Sequence, residues 1–439
     1  MLKTVRLGSG AGFAGDRIDA AVDLVRHGQL DDLILECLAE RTIALAQLRR
    51  SSDSASGYDP LAEQRFRALL PETLPRGTRI ISNLGAANPR MAGRLAIRIA
   101  DELGLRCRVA VVTGDDVLDR IDPDTPALEN GKPLSAHGPI ISANAYLGAD
   151  SLLEGLAAGA DVVITGRVAD PSLFVAPMID RFGWSQDDKG LMATATLAGH
   201  LLECGTQVSG GYFADPGHKD VPNLATVGLP FADISADGTI EIGKVGGSGG
   251  LIDKRTVREQ LLYELGDPGA YVTPDVTLDV YGVSIREIAR DRVRVTGAVG
   301  GDRPDNLKVS VGYRAGFRSE AEISYVGLGC VDRARLAGSI VEERLRRSGI
   351  DPRVELIGTL DDPNNGQNSE CRLRVAAMAP VADRAEQVCG EVEALYLNGP
   401  AGGGGVRTTV TDVVGIVSTL VPRKLVGVRT EILETSCPR

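Results

Sequence analysis

Residues 4–28, TVRLGSGAGFAGDRIDAAVDLVRHG, carry the pattern that most clearly determines the predicted fold. The apolar stretch TVRLG predicts a strand, and RIDAAVDLVRHG predicts a helix. Between them, the glycine-rich SGAGFAGD predicts a tight connection from strand to helix.

The same alternation of strand and helix continues through the first half of the chain. Further helices are predicted at ERTIALAQLRR and at roughly 90–103 and 149–159. Further strands are predicted at DLILECLA, TRIISNLG, RCRVAVVTG, GPIISANAYLG and DVVITGRVAD. Short apolar runs that alternate with helices are typical of a parallel sheet covered on both faces. We therefore expect an α/β fold with a mostly parallel, Rossmann-like N-terminal sheet.

The pattern changes after about residue 205. The stretches GTIEIGKV, VTLDVYGVSI and RVRVTGAVG predict antiparallel strands, and region 333–398 has the order helix, strand, strand, helix. This change predicts a parallel α/β domain at 1–215 and an α+β domain with glycine-rich loops at 216–439, with the boundary near 205–225.

Composition excludes several classes of protein. The 439 residues are 43% hydrophobic and 24% charged, as in ordinary globular proteins, and the net charge of −11 leaves no basic stripe for a nucleic acid. No run approaches the ~20 apolar residues that span a bilayer. The seven cysteines are scattered without a CxxC pair, which favours reduced thiols and a cytoplasmic protein. We also expect a homo-oligomer.

The segment GHLLECGTQVSGGYFADPG, residues 199–217, contains the most informative candidate site. His200, Glu203 and Cys204 lie in the last turn of an otherwise apolar predicted helix, where residues three and four apart share a face. The partial negative charge of a helix C-terminus opposes an acid there, so Glu203 breaks a local rule, as functional residues often do. A structural His–Glu pair that satisfies two buried groups explains the segment equally well.

Polar residues also follow the predicted strands, where parallel α/β sheets bind their ligands. They are Asp16, Glu40, Asn83, Asn88, Asp115, Asn144, Arg167 and Asp170. Solvated loops account for some of them, but Asn83 and Arg167 come directly after apolar strands. We predict Glu203, His200, Arg167 and Asp170 as catalytic residues, and Asn83, Asn88 and Asp16 as substrate-binding residues.

Gly10, Gly12 and Gly15 match the pattern GxGxxG between a strand and a helix, and Glu36 follows about 20 residues later. This context is typical of dinucleotide binding, although any tight turn between strand and helix also favours glycine. Two more glycine-rich loops, KVGGSGG and GPAGGGGVR, combine exposed amides with a cation. Such loops bind phosphate or carboxylate, or serve as hinges and lids. The predicted binding residues here are Gly10, Gly12, Lys244, Gly247, Ser248, Gly249, Gly403, Gly404 and Arg407.

The sequence contains no HExxH motif, and we assign no metal ligand. If a divalent metal takes part, His200, Cys204, Asp170 and Glu203 are the candidate ligands. The acids of YELGDPGAYVTPDVTLDV, residues 263–280, are a second candidate for a hard cation.

Six segments together resemble the acyclic terpene utilisation (AtuA) family, in the order in which that family carries them. They are GSGAGFAGDRIDAA, ISNLGAANP, ITGRVADPSL, GHLLECGTQVSGGYFADP, VGGSGGLIDKRTVREQLLYELGDPGAYVTPDV and GPAGGGGVR. The first departs from the family, whose loop more often reads Gly-Ser-Gly-Phe-Trp-Gly-Asp, because Ala11 and Ala14 stand here with Phe13 between them. This departure weakens the dinucleotide interpretation of the loop.

The resemblance implies a bacterial, cytosolic protein of CoA-dependent metabolism and a lyase step on a 3-hydroxy-3-alkylglutaryl-CoA. Many members carry a C-terminal ferredoxin-like domain or pair with a separate small protein. We expect this chain to lack the appended domain and to pair with a small ferredoxin-like partner.

Three functions are consistent with these observations. The first is an enzyme that cleaves or dehydrates a 3-hydroxy carboxylate or acyl-CoA, with no certain cofactor and a CoA thioester as a candidate substrate. The second is a non-catalytic subunit that binds a carboxylase or lyase. The third is an NAD-dependent oxidoreductase, which depends on Gly10, Gly12, Gly15 and Glu36.

Overall fold

A computed structural model describes residues 4–358 and 370–436. The chain forms two compact units. The larger unit comprises Met1–Leu134, Ile141–Gly312 and Ile416–Arg439, and the smaller comprises Ser135–Ile140 and Tyr313–Gly415. Residues 216–312, which the sequence assigns to a second domain, therefore lie in the larger unit.

The first half of the chain alternates strands and helices. Its elements are β1 (Thr4–Ala11), α1 (Ile18–Gly28), β2 (Asp32–Leu35), α2 (Glu40–Ser52), α3 (Ala62–Thr73), β3 (Arg79–Ser82), α4 (Pro89–Glu102), β4 (Arg108–Thr113), β5 (Ile140–Ala145), α5 (Leu153–Ala157), β6 (Val162–Ile164), α6 (Ser172–Phe182) and α7 (Lys189–Leu202).

The second half is richer in strands. Its elements are β7 (Pro230–Ser235), β8 (Ile240–Lys244), α8 (Lys254–Leu262), β9 (Tyr271–Val272), β10 (Thr277–Asp279), β11 (Ser284–Ala289), β12 (Arg292–Thr296), β13 (Val299–Gly300), β14 (Asn306–Val326), α9 (Cys330–Arg347), β15 (Arg353–Ile357), β16 (Glu370–Ala379), α10 (Ala382–Glu393), α11 (Leu395–Asn398), β17 (Gly403–Pro422) and β18 (Arg429–Glu434).

A large mixed sheet is the centre of the larger unit, with the strand order β11-β12-β8-β7-β1-β2-β3-β6-β4-β18. The five strands from β1 to β4 in that order are parallel. Their side chains are almost all buried, as expected for strands with helices on both faces. The chain is therefore a mixed α/β protein, as the sequence predicts.

Antiparallel strands extend this sheet at both edges. β7 pairs with β1 and continues through β8 and β12 to β11, while β18 pairs with β4. The antiparallel strands predicted after residue 205 exist. Of these, β8, β11 and β12 complete the first sheet because β7 supplies backbone partners to the open side of β1, whereas β10 and β13 form a separate three-stranded sheet with β9.

The predicted strand GPIISANAYLG is present as β5, but it is not part of the parallel sheet. It pairs with β14 instead. The Val117 amide donates to the Ala143 carbonyl oxygen, and the Ala145 amide donates to the Asp115 carbonyl oxygen. Residues 115–117 therefore form hydrogen bonds with the backbone of β5 as well. An apolar run alone does not distinguish these two places for a strand.

The smaller unit contains the predicted order helix, strand, strand, helix as α9, β15, β16 and α10. β16 pairs antiparallel with both β15 and β14. Apolar side chains of these strands and helices, including Ile323, Leu373 and Val388, form a separate core. Within the described residues, no helix is long and apolar enough to cross a membrane.

Candidate functional site

A cavity of about 960 Å³ lies in the larger unit. Residues that follow β1, β2 and β6 line it, which places it at the carboxyl edge of the parallel strands. Residues just after α7 complete that wall. Its polar and charged lining residues include Asp16, Glu36, Glu40, Tyr146, Arg167, Asp170, Glu203, Glu264, Tyr271 and Lys308.

Helix α7 positions the His–Glu pair. Asp188 caps the start of the helix by accepting a hydrogen bond from the Leu191 amide at 3.0 Å, and Glu203 is the residue directly after its last turn. His200 is buried, with Nδ1 2.9 Å from Glu203 Oε1 and Nε2 3.1 Å from the Leu261 carbonyl oxygen. Because a carbonyl oxygen can only accept, Nε2 carries a hydrogen and donates it to Leu261.

One proton is therefore shared between Nδ1 of His200 and the carboxyl group of Glu203. Burial raises the pKa of Glu203, and the neighbouring imidazole only partly offsets that increase. Burial would lower the pKa of His200, but the Glu203 carboxylate raises it overall. The second oxygen of Glu203, Oε2, is buried and has no hydrogen-bond partner among the described residues. The two side chains therefore hold one proton between them, and Glu203 is the member of the pair that lines the cavity.

Arg167 is the buried cation of the site. Its backbone amide donates to Asp115 Oδ2 at 2.9 Å, and its side chain donates to the Leu38 carbonyl oxygen. Its guanidinium lies 4.1 Å from the centre of the Tyr146 ring and 3.1 Å from Asp170 Oδ1. Burial would lower the pKa of Arg167, but Asp170 and other acidic neighbours raise it above its usual range.

Two further carboxyl groups lie close to this guanidinium. Burial raises the pKa of Asp170 well above its ordinary value. A third of its side chain is exposed, and that part lines the cavity. Burial also raises the pKa of Glu36, whose Oε1 accepts hydrogen bonds from the Leu38 amide at 2.7 Å and from Asn83 at 2.9 Å. Several carboxyl groups therefore share one guanidinium group. Because one positive charge cannot balance all of their negative charges, at least one of these carboxyl groups is favoured in its protonated form.

The pKa of Glu40, by contrast, is lowered. Burial would raise its pKa, but Arg167, a hydrogen bond from Tyr146 and the ammonium of Lys308, 3.4 Å away, lower it to about 2. Acids with raised and lowered pKa values therefore line the same cavity, a pattern that is common where one group donates a proton and another stays charged.

Exposed apolar side chains also line the cavity. They are Phe13, Leu128, Tyr212, Val272 and Leu420, and the Tyr212 side chain is 89% exposed. Buried charged groups with exposed apolar groups suit a ligand that has a polar head and an apolar part.

The family model for acyclic terpene utilisation proteins matches residues 5–432, nearly the whole chain. The chain belongs to the acyclic terpene utilisation family. Membership confirms the family that the sequence motifs indicate. No curated protein and no solved structure shows significant similarity to the chain.

In this member of the acyclic terpene utilisation family, the cavity brings together five of the predicted site residues: Glu203, Arg167, Asp170, Asp16 and Gly12. His200 and Asn83 do not line the cavity themselves: His200 contacts the lining residues Glu203 and Tyr271, and Asn83 contacts Glu36. Their functional roles stay predictions.

Other predicted binding residues have structural partners of their own. Asn88 caps α4 and donates to the Ser54 and Ser56 carbonyl oxygens, at 3.0 and 2.8 Å. Lys244 donates to the Ser248 carbonyl oxygen at 2.9 Å and pairs with Asp291 at 3.3 Å. Lys244 therefore binds the backbone of its own loop, which contains Gly247 and Gly249. This loop lines a groove that is separate from the cavity. Gly403, Gly404 and Arg407 belong to the smaller unit.

The first glycine loop is used for packing. A methyl group on Gly10 would overlap Leu33 and Leu35, and one on Gly12 would lie 2.4 Å from the Cys204 backbone. The Gly12 amide donates to Asp16 Oδ2 at 2.9 Å, and the Arg17 amide donates to Asp16 Oδ1 at 2.8 Å. A pyrophosphate would have to displace a carboxylate from these amides, which disfavours the dinucleotide hypothesis.

The candidate metal ligands are not assembled as a site. Within residues 4–358 and 370–436, no group of three or more His, Cys, Asp or Glu side chains could hold a metal ion. Both ring nitrogens of His200 are occupied, and burial raises the pKa of the Cys204 thiol, which keeps it protonated. In the acidic segment, Asp275 is buried and accepts from Ser172 and the Ala149 amide, so it stabilises the fold.

The sequence did not reveal Tyr146 and Lys308 as site residues. Tyr146 follows β5, which pairs with the strand β14 that carries Lys308, and that pairing has no signal in the apolar pattern. The Tyr146 amide donates to the Lys308 carbonyl oxygen at 2.8 Å. Tyr271 and Glu264 come from the acidic segment, where the sequence indicated a cation instead.

Proposed function

We propose that the chain is a lyase that acts on a 3-hydroxy carboxylate or a 3-hydroxyacyl-CoA in CoA-linked metabolism. It breaks either a carbon–carbon bond or a carbon–oxygen bond of that substrate. The observation that carries the proposal is the buried Glu203–His200 pair, which shares one proton in the wall of a cavity that also contains Arg167 and Asp170.

Both bond cleavages need one base and one acid. In a retro-aldol cleavage, the base takes the proton of the 3-hydroxyl group, the C2–C3 bond breaks, and its electron pair forms an enolate that is then protonated. In a dehydration, the base takes a proton from C2, and the acid protonates the hydroxyl group that leaves C3 as water. Glu203 with His200 supplies the base, and protonated Asp170 supplies the acid.

The charges and apolar groups that line the cavity indicate where the other parts of the substrate bind. Arg167 and Lys308 are the cations of the cavity, so they attract a substrate carboxylate and stabilise the negative charge that develops on an enolate oxygen. The exposed apolar side chains, Leu128 and Val272 among them, then face the apolar part of the substrate. No step of this proposal uses a metal or a dinucleotide.

Direct assay of the purified protein tests this proposal. A panel of 3-hydroxy dicarboxylates and 3-hydroxyacyl-CoA thioesters is incubated with it, and products are identified by mass spectrometry. Two fragments indicate carbon–carbon cleavage, and a product that lacks one water indicates dehydration. A chain that binds members of the panel without converting any of them, alone or with the small partner, contradicts the proposal and favours the non-catalytic subunit.

A further inference from the structure

Another groove of the larger unit, distinct from the groove at Gly247, has a volume of about 400 Å³ and lies between the end of β4 and the start of α4. Its lining shares no residue with the cavity described above. Four arginines line it: Arg50, Arg90, Arg120 and Arg429. In a chain with a net charge of −11, four guanidinium groups around one groove are a local excess of positive charge.

Close backbone packing builds this groove. Gly114 has a φ of 123°, and a methyl group there would lie 2.3 Å from the Gly427 carbonyl oxygen. The loops that contain these two glycines are therefore in direct contact. β18 pairs with β4 so that Arg429 is opposite Thr113, which fixes the backbone of Arg429 at the wall of the groove.

The arginines keep donor capacity for a ligand. Arg50 donates to the Ala87 carbonyl oxygen at 2.8 Å, and Arg120 donates to the Leu425 carbonyl oxygen. Arg90 pairs with Glu431 at 3.2 Å. Each guanidinium has five N–H donors, so these contacts leave several unused. The side chain of Arg429 has no ion pair or hydrogen bond within the described residues.

Two acids in the lining do not neutralise the four cations. Asp116 pairs with Arg50 at 3.6 Å. Asp115 is buried and accepts hydrogen bonds from the Arg167 amide and from Asn144, at 2.9 and 2.8 Å, so its charge is directed to the interior. The groove therefore has a net positive lining.

We propose that this groove binds the phosphate group of a small phosphorylated ligand. Guanidinium groups bind phosphate oxygens through paired, charge-assisted hydrogen bonds, and several of them can surround one phosphate or diphosphate. The volume lies within the range of small-molecule sites. The proposal is independent of the chemistry assigned to the larger cavity.

Isothermal titration calorimetry with pyrophosphate tests the site. Saturable binding is expected in wild type, and Arg429→Gln and Arg120→Gln should each weaken it about tenfold, since each removes charged hydrogen bonds to the anion. Arg98→Gln is the matched control, because Arg98 lies on the exposed surface of α4 outside the groove and should leave the affinity unchanged.

Two further titrations identify the ligand class. ADP that binds more tightly than pyrophosphate indicates a nucleotide, and equal affinities indicate recognition of the phosphate groups alone; both results support the site. Absence of saturable pyrophosphate binding, equal binding to wild type and both groove variants, or malonate that binds as tightly as pyrophosphate would overturn the proposal.

Discussion

The types of residue alone do not show what the Glu203–His200 pair does. The same hydrogen bond fits a structural pair and a pair that transfers a proton. His200 is fixed by the Leu261 carbonyl oxygen on one side and by Glu203 on the other. A purely structural pair would be enclosed on all sides, whereas Glu203 lines a large cavity and leaves Oε2 without a partner among the described residues. The placement of the pair favours proton transfer.

We predict that Glu203→Gln lowers the pKa of His200. The carboxylate is what raises that pKa against the effect of burial, and an amide carries no charge. Because the chain has four histidines, NMR titration of their ring signals resolves His200. His27, exposed and paired with Asp23 on α1, is the internal control, and its ring signals should be the same in both proteins. An unchanged pKa of His200 in the variant would show that Glu203 does not control its proton.

Glu40 predicts a pH-dependent contribution to stability. Its pKa in the folded protein is about 2, below its ordinary value of 4.5, so the folded state favours the carboxylate. Glu40 therefore makes its full contribution to the free energy of unfolding above about pH 4.5, and this contribution is lost as the pH falls toward 2. With 39% of the side chain exposed, we expect Glu40→Gln to cost about 1–2 kcal/mol at pH 7 after allowance for solvent screening.

Urea unfolding at pH 7 and pH 4 measures this contribution. The difference between wild type and Glu40→Gln should shrink at the lower pH. Glu154→Gln, an exposed acid in the first turn of α5, is the matched control and should change the free energy of unfolding by less than about 0.5 kcal/mol. A Glu40→Gln difference that grows as the pH falls would reverse the assigned sign.

At the scale of elements, the contact between the end of β1 and the residues after α7 forms the cavity wall. Gly12 lies against the backbone of Cys204 and Gly205, and no side-chain rotation can relieve an added methyl group there. The sequence showed Gly12 as part of a glycine pattern, but the pattern could not tell a phosphate-binding turn from close packing. The partner that decides between them lies nearly two hundred residues away in the chain.

We therefore predict that Gly12→Ala destabilises the protein by about 1–3 kcal/mol through overpacking. Chemical denaturation gives the free energy of unfolding. Gly266→Ala is the matched control, since a methyl group at Gly266 meets no atom within 4 Å. If both variants are equally stable, the backbone contact at Gly12 is not as close as described.

At the scale of the whole molecule, local patterns predicted most elements but not how they assemble. The strands β1, β2, β3, β4 and β6 and the helices α1, α2, α4 and α5 follow from apolar runs and glycine turns, whereas α3 was not predicted. The extension of the sheet by β7 and β18 could not be predicted, because strand pairing over long separations depends on which edges are open. For the same reason, the residues after β1, β2 and β6 could be proposed for the site, whereas Tyr146 and Lys308 could not.

Ligand stabilisation of the whole fold is the prediction at this scale. A ligand at one hundred times its dissociation constant stabilises the folded state by about 2.7 kcal/mol, so the cognate acid or thioester should raise the melting temperature measurably. In the double variant Arg120→Gln, Arg429→Gln, which lacks two arginines of the phosphate groove, we expect stabilisation by 3-hydroxy dicarboxylates or 3-hydroxyacyl-CoA thioesters, and none by NAD. Stabilisation of this variant by NAD alone would contradict the assignment of the cavity and favour the oxidoreductase hypothesis.

The turnover rate of Glu203→Gln, on a substrate that the wild-type protein converts, tests the proposed chemistry most directly. Loss of the acid–base group should lower kcat at least about 100-fold, while the melting temperature and substrate binding stay close to wild type, because the two side chains are nearly isosteric. Glu63→Gln makes the same chemical change on the exposed surface of α3 and should retain full activity. A Glu203→Gln protein that is folded and turns over within a few-fold of wild type would contradict a catalytic role for the Glu203–His200 pair.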